Sequence, residues 1–505
     1  MPPDLEPHLP ELTRKDLLYP LFCRRPKVRI LLYTDSTSVQ MNKSAQFGLQ
    51  LMRDWIVDGN PFYASFEFDL VNRHTGGHAA KKLTATLLAN YDQVWFFGVL
   101  QCNLPTAQQN ELTTSEVSAL RAWMDAGGGV LITGDHANPK PIGAAAGLDP
   151  LLNLGRAIGR AVPRAGQLRK WEGLPDSSTT DNHNTMVPTL AFPDLNLGGQ
   201  PQQQDNVPQR LILTRHTIPS WIPYFVRRRR PHPLFCGKDG LIDVFPDHMH
   251  EGLPVLPTTY GSEWPSTAGG YQPIPTIEAK GTDKRNGKIY PVTIAYDGDD
   301  VSVGRIVADA TWHHYFNINL WGWTSGSPAY SADGSAAQKA IANYYQNLAV
   351  WLSPRAKRQV MRCRTYWWLL NHPEVAELTL GPLHVLGGTA LDVLGRSASQ
   401  CLIYELVFID LDRFRVYERF PKVPPIPWPP IELVLGGTML EYQEAAQRAL
   451  AKKTIPARED LQQAGFRRAF AFHTSALAAD LKEAKHGAEA FEASLHVPRR
   501  RKRKG

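Results

Sequence analysis

Thr113-Thr-Ser-Glu-Val-Ser-Ala-Leu-Arg-Ala-Trp-Met-Asp-Ala-Gly-Gly-Gly-Val-Leu-Ile-Thr133 reads as a helix, a stop and a strand. Thr113 and Glu116 have the spacing at which each side chain closes an open backbone N–H of the other at a helix start. Val117, Leu120 and Met124 then line one helical face. The glycines at 127–129 supply the backbone freedom that ends a helix, and Val130-Leu-Ile-Thr133 is a short apolar run of the kind that forms a buried strand.

The same alternation extends upstream. Lys27 to Asp35 reads as a buried strand and a polar turn, and residues 44–57 place Phe47, Leu51 and Trp55 at helical spacing. Ser65–Val71 is a second strand, 84–90 a short helix, and Gln93–Val99 a third, strongly apolar strand. Strands alternating with helices predict an α/β fold, a doubly wound parallel sheet whose ligands bind beyond the carboxyl ends of the strands. Gly134-Asp135-His136 follows such an end. A long Pro-, Gly-, Gln- and Asn-rich insertion, about residues 137–288, then interrupts the pattern before strand character resumes at 290–296 and 304–311.

Residues 335–352 form an amphipathic helix that Ser353-Pro354 ends, and beyond it the composition changes. A basic helix at 355–370 precedes two similar pieces, Leu386-Gly-Gly-Thr-Ala-Leu-Asp392 and Leu435-Gly-Gly-Thr-Met-Leu-Glu441, separated by the proline-rich stretch 421–430. Residues 440–492 are rich in Ala, Glu and Lys. The expected organisation is an N-terminal arm (1–26), an α/β domain (27–354), a mostly helical accessory domain (355–498) and a basic tail (499–505).

Composition limits the function classes. A chain of 505 residues, 43% hydrophobic, can bury a sizeable core. The net charge of +7 comes almost wholly from Arg499 to Lys504, which leaves the body near +1. Nucleic-acid contact is therefore expected only as a non-specific property of that tail. Five scattered cysteines without a C-x-x-C pair argue against a disulfide framework and for a reducing, cytoplasmic setting. No export signal and no apolar run of membrane-spanning length is present, so a membrane role is not expected. A homo-oligomer is compatible with the sequence.

The chemistry is concentrated in histidines and carboxylates. Eight of sixteen histidines fall between positions 136 and 314. The densest group is Phe245-Pro-Asp-His-Met-His-Glu251. In a strand, His248 and His250 would share a face; in a loop, which Pro246 and Gly252 favour, Asp247, His248, His250 and Glu251 can converge. His313 and His314 are adjacent, so in extended backbone only one of them faces a given site. His183 and His232 stand in less defined surroundings, where binding and structural roles are both open. No G-x-S-x-G elbow, Walker lysine or dinucleotide fingerprint is present.

Gly127-Gly-Gly-Val-Leu-Ile-Thr-Gly-Asp-His136 and Gly304-Arg-Ile-Val-Ala-Asp-Ala-Thr-Trp-His-His314 together resemble two signature strand ends of the class I glutamine amidotransferase-like superfamily, in its ThuA-like (trehalose-utilisation) branch. The resemblance implies a flavodoxin-like domain. Where the amidotransferases of that superfamily carry a nucleophilic cysteine this chain has Gly134-Asp135-His136, so glutamine hydrolysis is not expected.

The expected function is a metal-dependent hydrolase, or a related lyase or isomerase, acting on a small polar molecule such as a sugar derivative or amide. His136, His248, His250 and His313 are the candidate ligands of a divalent ion, zinc first. Glu251, Asp135, Asp247 and His314 are the candidate catalytic groups. Arg164, Arg169 and Lys170, with His183 and His232, are the candidate substrate contacts. The alternative from another class is a non-catalytic ligand-binding or assembly protein on a degenerate sheet of the same kind.

Overall fold

The structure, a computed structural model, describes residues 24–34, 39–45, 47–58, 61–73, 81–97, 112–133, 161–170, 209–217, 229–246, 253–282, 289–310, 312–321, 332–378, 382–407, 431–452 and 458–495. The first half of the chain forms strands β1 (Lys27–Thr34), β2 (Ser65–Asn72), β3 (Gln93–Phe97) and β4 (Gly129–Ile132) and helices α1 (Gln50–Val57), α2 (Ala85–Leu88) and α3 (Thr114–Asp125). The helix-stop-strand reading holds in detail. Thr113 and Glu116 form the capping box, and Gly127 takes φ +101° just beyond the helix end.

The described part of the insertion supplies nine further strands: β5 (Arg169–Lys170), β6 (Gln209–Leu213), β7 (Arg215–Thr217), β8 (Arg229–Pro231), β9 (Cys236–Gly237), β10 (Gly240–Leu241), β11 (Val244–Phe245), β12 (Leu253–Pro254) and β13 (Thr276–Thr282). Strands β14 (Ile289–Tyr296) and β15 (Ile306–Asp309) follow. After them come helices α4 (Asn317–Trp321), α5 (Ala332–Trp351), α6 (Arg355–Leu370), α7 (Pro373–Ala376), α8 (Leu383–Ser397), α9 (Gln400–Val407), α10 (Ile431–Lys452) and α11 (Arg458–Leu495).

Nine strands make one central sheet in the order β11-β6-β13-β14-β15-β4-β3-β1-β2. The five strands from β15 to β2 are parallel, and the other four add antiparallel. The sheet is therefore mixed, which corrects the expectation of a wholly parallel one. Only residues 297–305, with one 3-10 turn at Asp299–Val301, join β14 to β15. A parallel crossover needs a dozen or more residues, so so short a connection returns the chain antiparallel.

Burial on both faces explains the continuous apolar strands. Leu31, Tyr33, Val94, Phe96, Val130, Ile132, Ile306 and Ala308 pack on one face with Leu120 and Met124 of α3. On the other face the Gln93 amide donates to Ala349 O of α5 at 2.6 Å, while its carbonyl accepts from the Trp95 indole. At the amino end of β15, a Cβ on Gly304 would stand 1.9 Å from Gly128 O, so position 304 is glycine for steric reasons, while a Cβ on Gly128 would stand 2.4 Å from the Trp123 ring.

Two buried charge groups brace this unit. Arg73 binds Glu116 through both guanidinium arms, at 2.6 and 3.0 Å, and also donates to the Tyr33 hydroxyl. Arg305, fully buried, reaches Asp297, Asp299 and Glu405, and Arg358 pairs with Asp299 and Glu405. Removing one member of such a group strands the others in a low dielectric.

The described residues of 24–217, 229–365 and 395–405 form one compact unit, and those of 366–394 and 406–495 a second. Helix α6 thus begins in the first unit, since Arg358 belongs to the Arg305 cluster, and the boundary falls later than the composition change at 355. In the second unit every described element is helical. The repeated Leu-Gly-Gly-Thr pieces lie in α8 and α10 and meet there: a Cβ on Gly387 would be 1.7 Å from Glu432 O, and one on Gly436 2.1 Å from Leu383 O. The repeat is a backbone-to-backbone helix crossing that tolerates only hydrogen at those positions. Tyr366 stacks on Tyr442 at 4.7 Å nearby.

Cys236 and Cys401 are free thiols, but Cys363 is disulfide-bonded. That corrects the expectation drawn from the scattered cysteines, and the cysteine pattern no longer speaks for a reducing compartment. Among the described residues no helix is long and apolar enough to cross a membrane.

Burial pushes the Glu116 carboxyl up, but its bonds from Arg73, Thr113 and Leu83 outweigh that and hold it down at about 2. A carboxylate depressed on folding stabilises fully above its unfolded value near 4.5, and the contribution is lost as pH falls from there towards 2. Glu116→Gln is expected to cost about 3–5 kcal/mol at neutral pH in urea unfolding. The gap to the parent should narrow steadily below pH 4.5.

Candidate functional site at the carboxyl end of β15

Strand β15 runs parallel to β4 and ends at Asp309, beside the end of β4 at Ile132 and Thr133. Asp309 is fully buried, and three hydroxyls converge on its carboxylate. Thr293, its direct partner on β14, donates to Oδ1 at 2.6 Å, and Tyr344 of α5 donates to both oxygens at 3.0 Å. Tyr315 donates to Oδ2. Burial first, and the Asp309 charge second, push both phenols well above their ordinary value, so they remain neutral donors. The backbone oxygen of Asp309 accepts from Arg169 Nη1 at 2.7 Å.

His314 follows in the short 3-10 turn His313–Tyr315 and is also fully buried. Its ring lies between Phe245, 4.7 Å away, and Tyr315, 5.0 Å away, and Tyr345 donates to its backbone oxygen. Nε2 stands 3.7 Å from Asp309 Oδ2, longer than a hydrogen bond. Among the described residues neither ring nitrogen has a hydrogen-bond partner. A buried imidazole normally satisfies at least one nitrogen, so this ring has capacity to bond that the described residues leave unused.

Both flanks of the Asp-His-Met-His-Glu segment are anchored here. Phe245, two residues before Asp247, carries the ring against His314. Leu253 and Pro254, just after Glu251, pair as β12 with Lys170 and Arg169 of β5, and Arg169 holds Asp309 O. Asp247, His248, His250 and Glu251 themselves lie outside the described residues, as do Asp135, His136 and His183. The side chains of His313 and Lys170 lie outside them too. Among the described residues no three of His, Cys, Asp and Glu converge as a metal-binding group.

Arg164 and His232 are placed elsewhere. Arg164 pairs with Asp125 at the end of α3, by the amino end of β4, and its backbone N–H donates to Glu263 at 2.9 Å. It is thus engaged at the edge opposite Asp309. His232 caps the 3-10 turn Pro233–Phe235, its Nδ1 accepting from Leu234 N at 3.3 Å, and sits edge-on to Trp351 at 5.2 Å. Trp351 is two turns, about 10 Å, along α5 from Tyr344. Burial drives the His232 imidazole down to about 4, so near neutral pH it is an uncharged cap.

Beside it is a pair that sequence reasoning missed. His216 Nε2 lies 2.6 Å from the buried Glu278 carboxylate, which also accepts from Thr276. That bond raises His216 above its ordinary 6.5. Burial pushes Glu278 up, but His232, His216 and Thr276 hold it below the usual range. The one local signal was a glutamate between Ile277 and Ala279, the two apolar residues of β13.

A histidine raised on folding stabilises fully below 6.5, and the contribution is lost as pH rises through the raised value. In a proton–carbon NMR titration His216 is expected to titrate above 6.5 and His232 near 4. Glu278→Gln should return His216 towards 6.5; an unchanged midpoint would contradict the pairing.

No protein-family model matches the chain, and no curated protein matches it.

Proposed function

We propose that the chain is a metal-dependent hydrolase acting on a small polar substrate, such as a sugar derivative or an amide, at the carboxyl end of β15. The observation that carries the reading is His314, a fully buried imidazole with two unpartnered nitrogens at the end of a parallel strand. Reactive groups in sheets of this kind gather at that edge. The reading takes the five parallel strands as the flavodoxin-like part of a ThuA-like, amidotransferase-related domain, the antiparallel strands as an elaboration of it, and the second unit as a helical accessory domain.

The donor set fits a divalent ion of the zinc type. Imidazole and carboxylate are its ordinary protein ligands, and the sequence between Phe245, which packs on His314, and Leu253, which pairs with Lys170, carries two histidines and two carboxylates. His136, His248, His250 and one of His313 and His314 are the proposed ligands. A divalent ion there would supply Lewis acidity towards a substrate carbonyl or towards water. Glu251 would take the proton of the attacking water, with Asp135 and Asp247 orienting the ligand histidines. Arg169 acts by fixing the Asp309 backbone.

The test is metal analysis of the purified chain together with hydrolysis of a panel of small amides and sugar esters. About one divalent ion per chain is expected, with chelation abolishing hydrolysis and zinc restoring it. His248→Ala/His250→Ala should lose the ion while keeping the fold by circular dichroism. Parent protein that holds no ion and gains no activity on adding zinc would overturn the reading in favour of a non-catalytic ligand-binding protein.

A further inference from the structure

We propose that Asp309 is the fixed carboxylate partner of His314, with Thr293, Tyr315 and Tyr344 as its positioning residues, so that the imidazole keeps its proton on Nε2 and presents Nδ1 to the ligand. This deepens the reading above, because it makes His314 the working group of the β15 site and Asp309 the group that orients it.

The argument is one of available hydrogen-bonding sites. An ionised carboxylate accepts at about four positions and donates at none. Three hydroxyls occupy Asp309: Thr293 on Oδ1, Tyr315 on Oδ2 and Tyr344 astride both. No Arg or Lys side chain among the described residues forms a salt bridge with this carboxylate, and the one nearby cationic side chain with a bond to Asp309, Arg169, uses the backbone oxygen. Three hydroxyl protons thus serve about four acceptor positions, and His314 Nε2 stands 3.7 Å from Oδ2.

Closing that gap by less than about 1 Å makes an N–H···O bond of ordinary length. Catalytic hydrogen bonds are often long without substrate and shorten when it binds. Only a proton on Nε2 can use an acceptor-only neighbour, and in the neutral ring Nδ1 is then a lone pair, free to bind a metal or accept a proton. A histidine oriented by a carboxylate on one nitrogen while the other does the work is a common arrangement around metal ions. Phe245 and Tyr315 flank the ring, and Tyr345 holds its backbone.

Each hydroxyl sits on a different support. Thr293 is the cross-strand neighbour on β14, Tyr315 belongs to the turn that carries His314, and Tyr344 comes from α5. The carboxylate is therefore held from the sheet, the turn and the helix at once. Removing any one hydroxyl leaves two, so single losses are expected to loosen the arrangement and not to abolish it.

The experiment reads the ring tautomer of His314 by long-range proton–nitrogen NMR on the full metal-free chain with labelled histidine, assigned through the peak missing in His314→Gln. The parent is expected to show the Nε2–H form. Asp309→Asn, whose amide can donate as well as accept, should shift His314 to Nδ1–H or to a mixture. Tyr344→Phe and Thr293→Val, which keep shape and remove one hydroxyl each, should show both tautomers, and they keep the test open if the Asn variant does not fold. An Nδ1–H parent, or an Nε2–H form unchanged in every folded variant, would overturn the proposal. In the hydrolase assay Asp309→Asn should lower kcat by about 10²- to 10⁴-fold with KM changed far less. The tautomer is read without metal or substrate, so a chain that hydrolyses nothing yet keeps Nε2–H defeats the hydrolase reading alone.

Discussion

Strand β15 is the constraint on which the first unit depends. It pairs parallel with β4 on one side and antiparallel with β14 on the other, so it joins the alternating β/α half of the sheet to the half made of β14 and the insertion strands β13, β6 and β11. Its two ends have opposite characters. At the amino end Gly304 lies against the Gly127–Gly129 turn and Arg305 gathers Asp297, Asp299 and Glu405. At the carboxyl end Asp309 collects hydroxyls and, among the described residues, no Arg or Lys side chain, and His314 follows with open nitrogens.

The difference between those ends separates structural charge from functional charge. Every member of the Arg305 cluster has an opposite charge in contact; burial works against the Arg305 charge, but Asp297, Asp299 and Glu405 outweigh it and keep the group ionised. Such a group braces the fold and offers nothing to a ligand. Arg73 with Glu116 is a second case, and there the same glutamate also caps α3, so one side chain sets the helix start and ties it to the end of β2. The His314 imidazole is buried to the same degree without a bonded partner, a state that costs free energy unless something else binds it.

Much of the fold could be read from local pattern. The strands at 27–34, 65–72, 93–97 and 129–132 and the helix at 114–125 follow from apolar runs bounded by caps and glycines, signals that act within one turn or one strand. The sense of β14 could not be read in this way, because residues 290–296 look the same whether they pair parallel or antiparallel. The two Leu-Gly-Gly-Thr pieces were visible as a repeat, but their purpose lay in the contact between Gly387 and Gly436, which are far apart in sequence. Of the candidate site, His314 was legible as a histidine at a strand end. Its hydroxyl-ringed neighbour Asp309 and the His216–Glu278 pair were not, because each depends on residues brought together from separate elements.

The sequence by itself determined the α/β character of the first part, the helix-stop-strand unit at 113–133 and the placement of histidines after two strand ends, since these rest on short-range periodicity and capping. Only the tertiary structure decided which charges are consumed and which are left open. Arg164, Arg169 and His232 look equally reactive in the chain, yet one pairs with Asp125, one fixes the Asp309 backbone and one caps a turn. Their roles are set by what stands within about 3 Å of each polar atom, and hydrogen bonding at that range is a property of the folded chain.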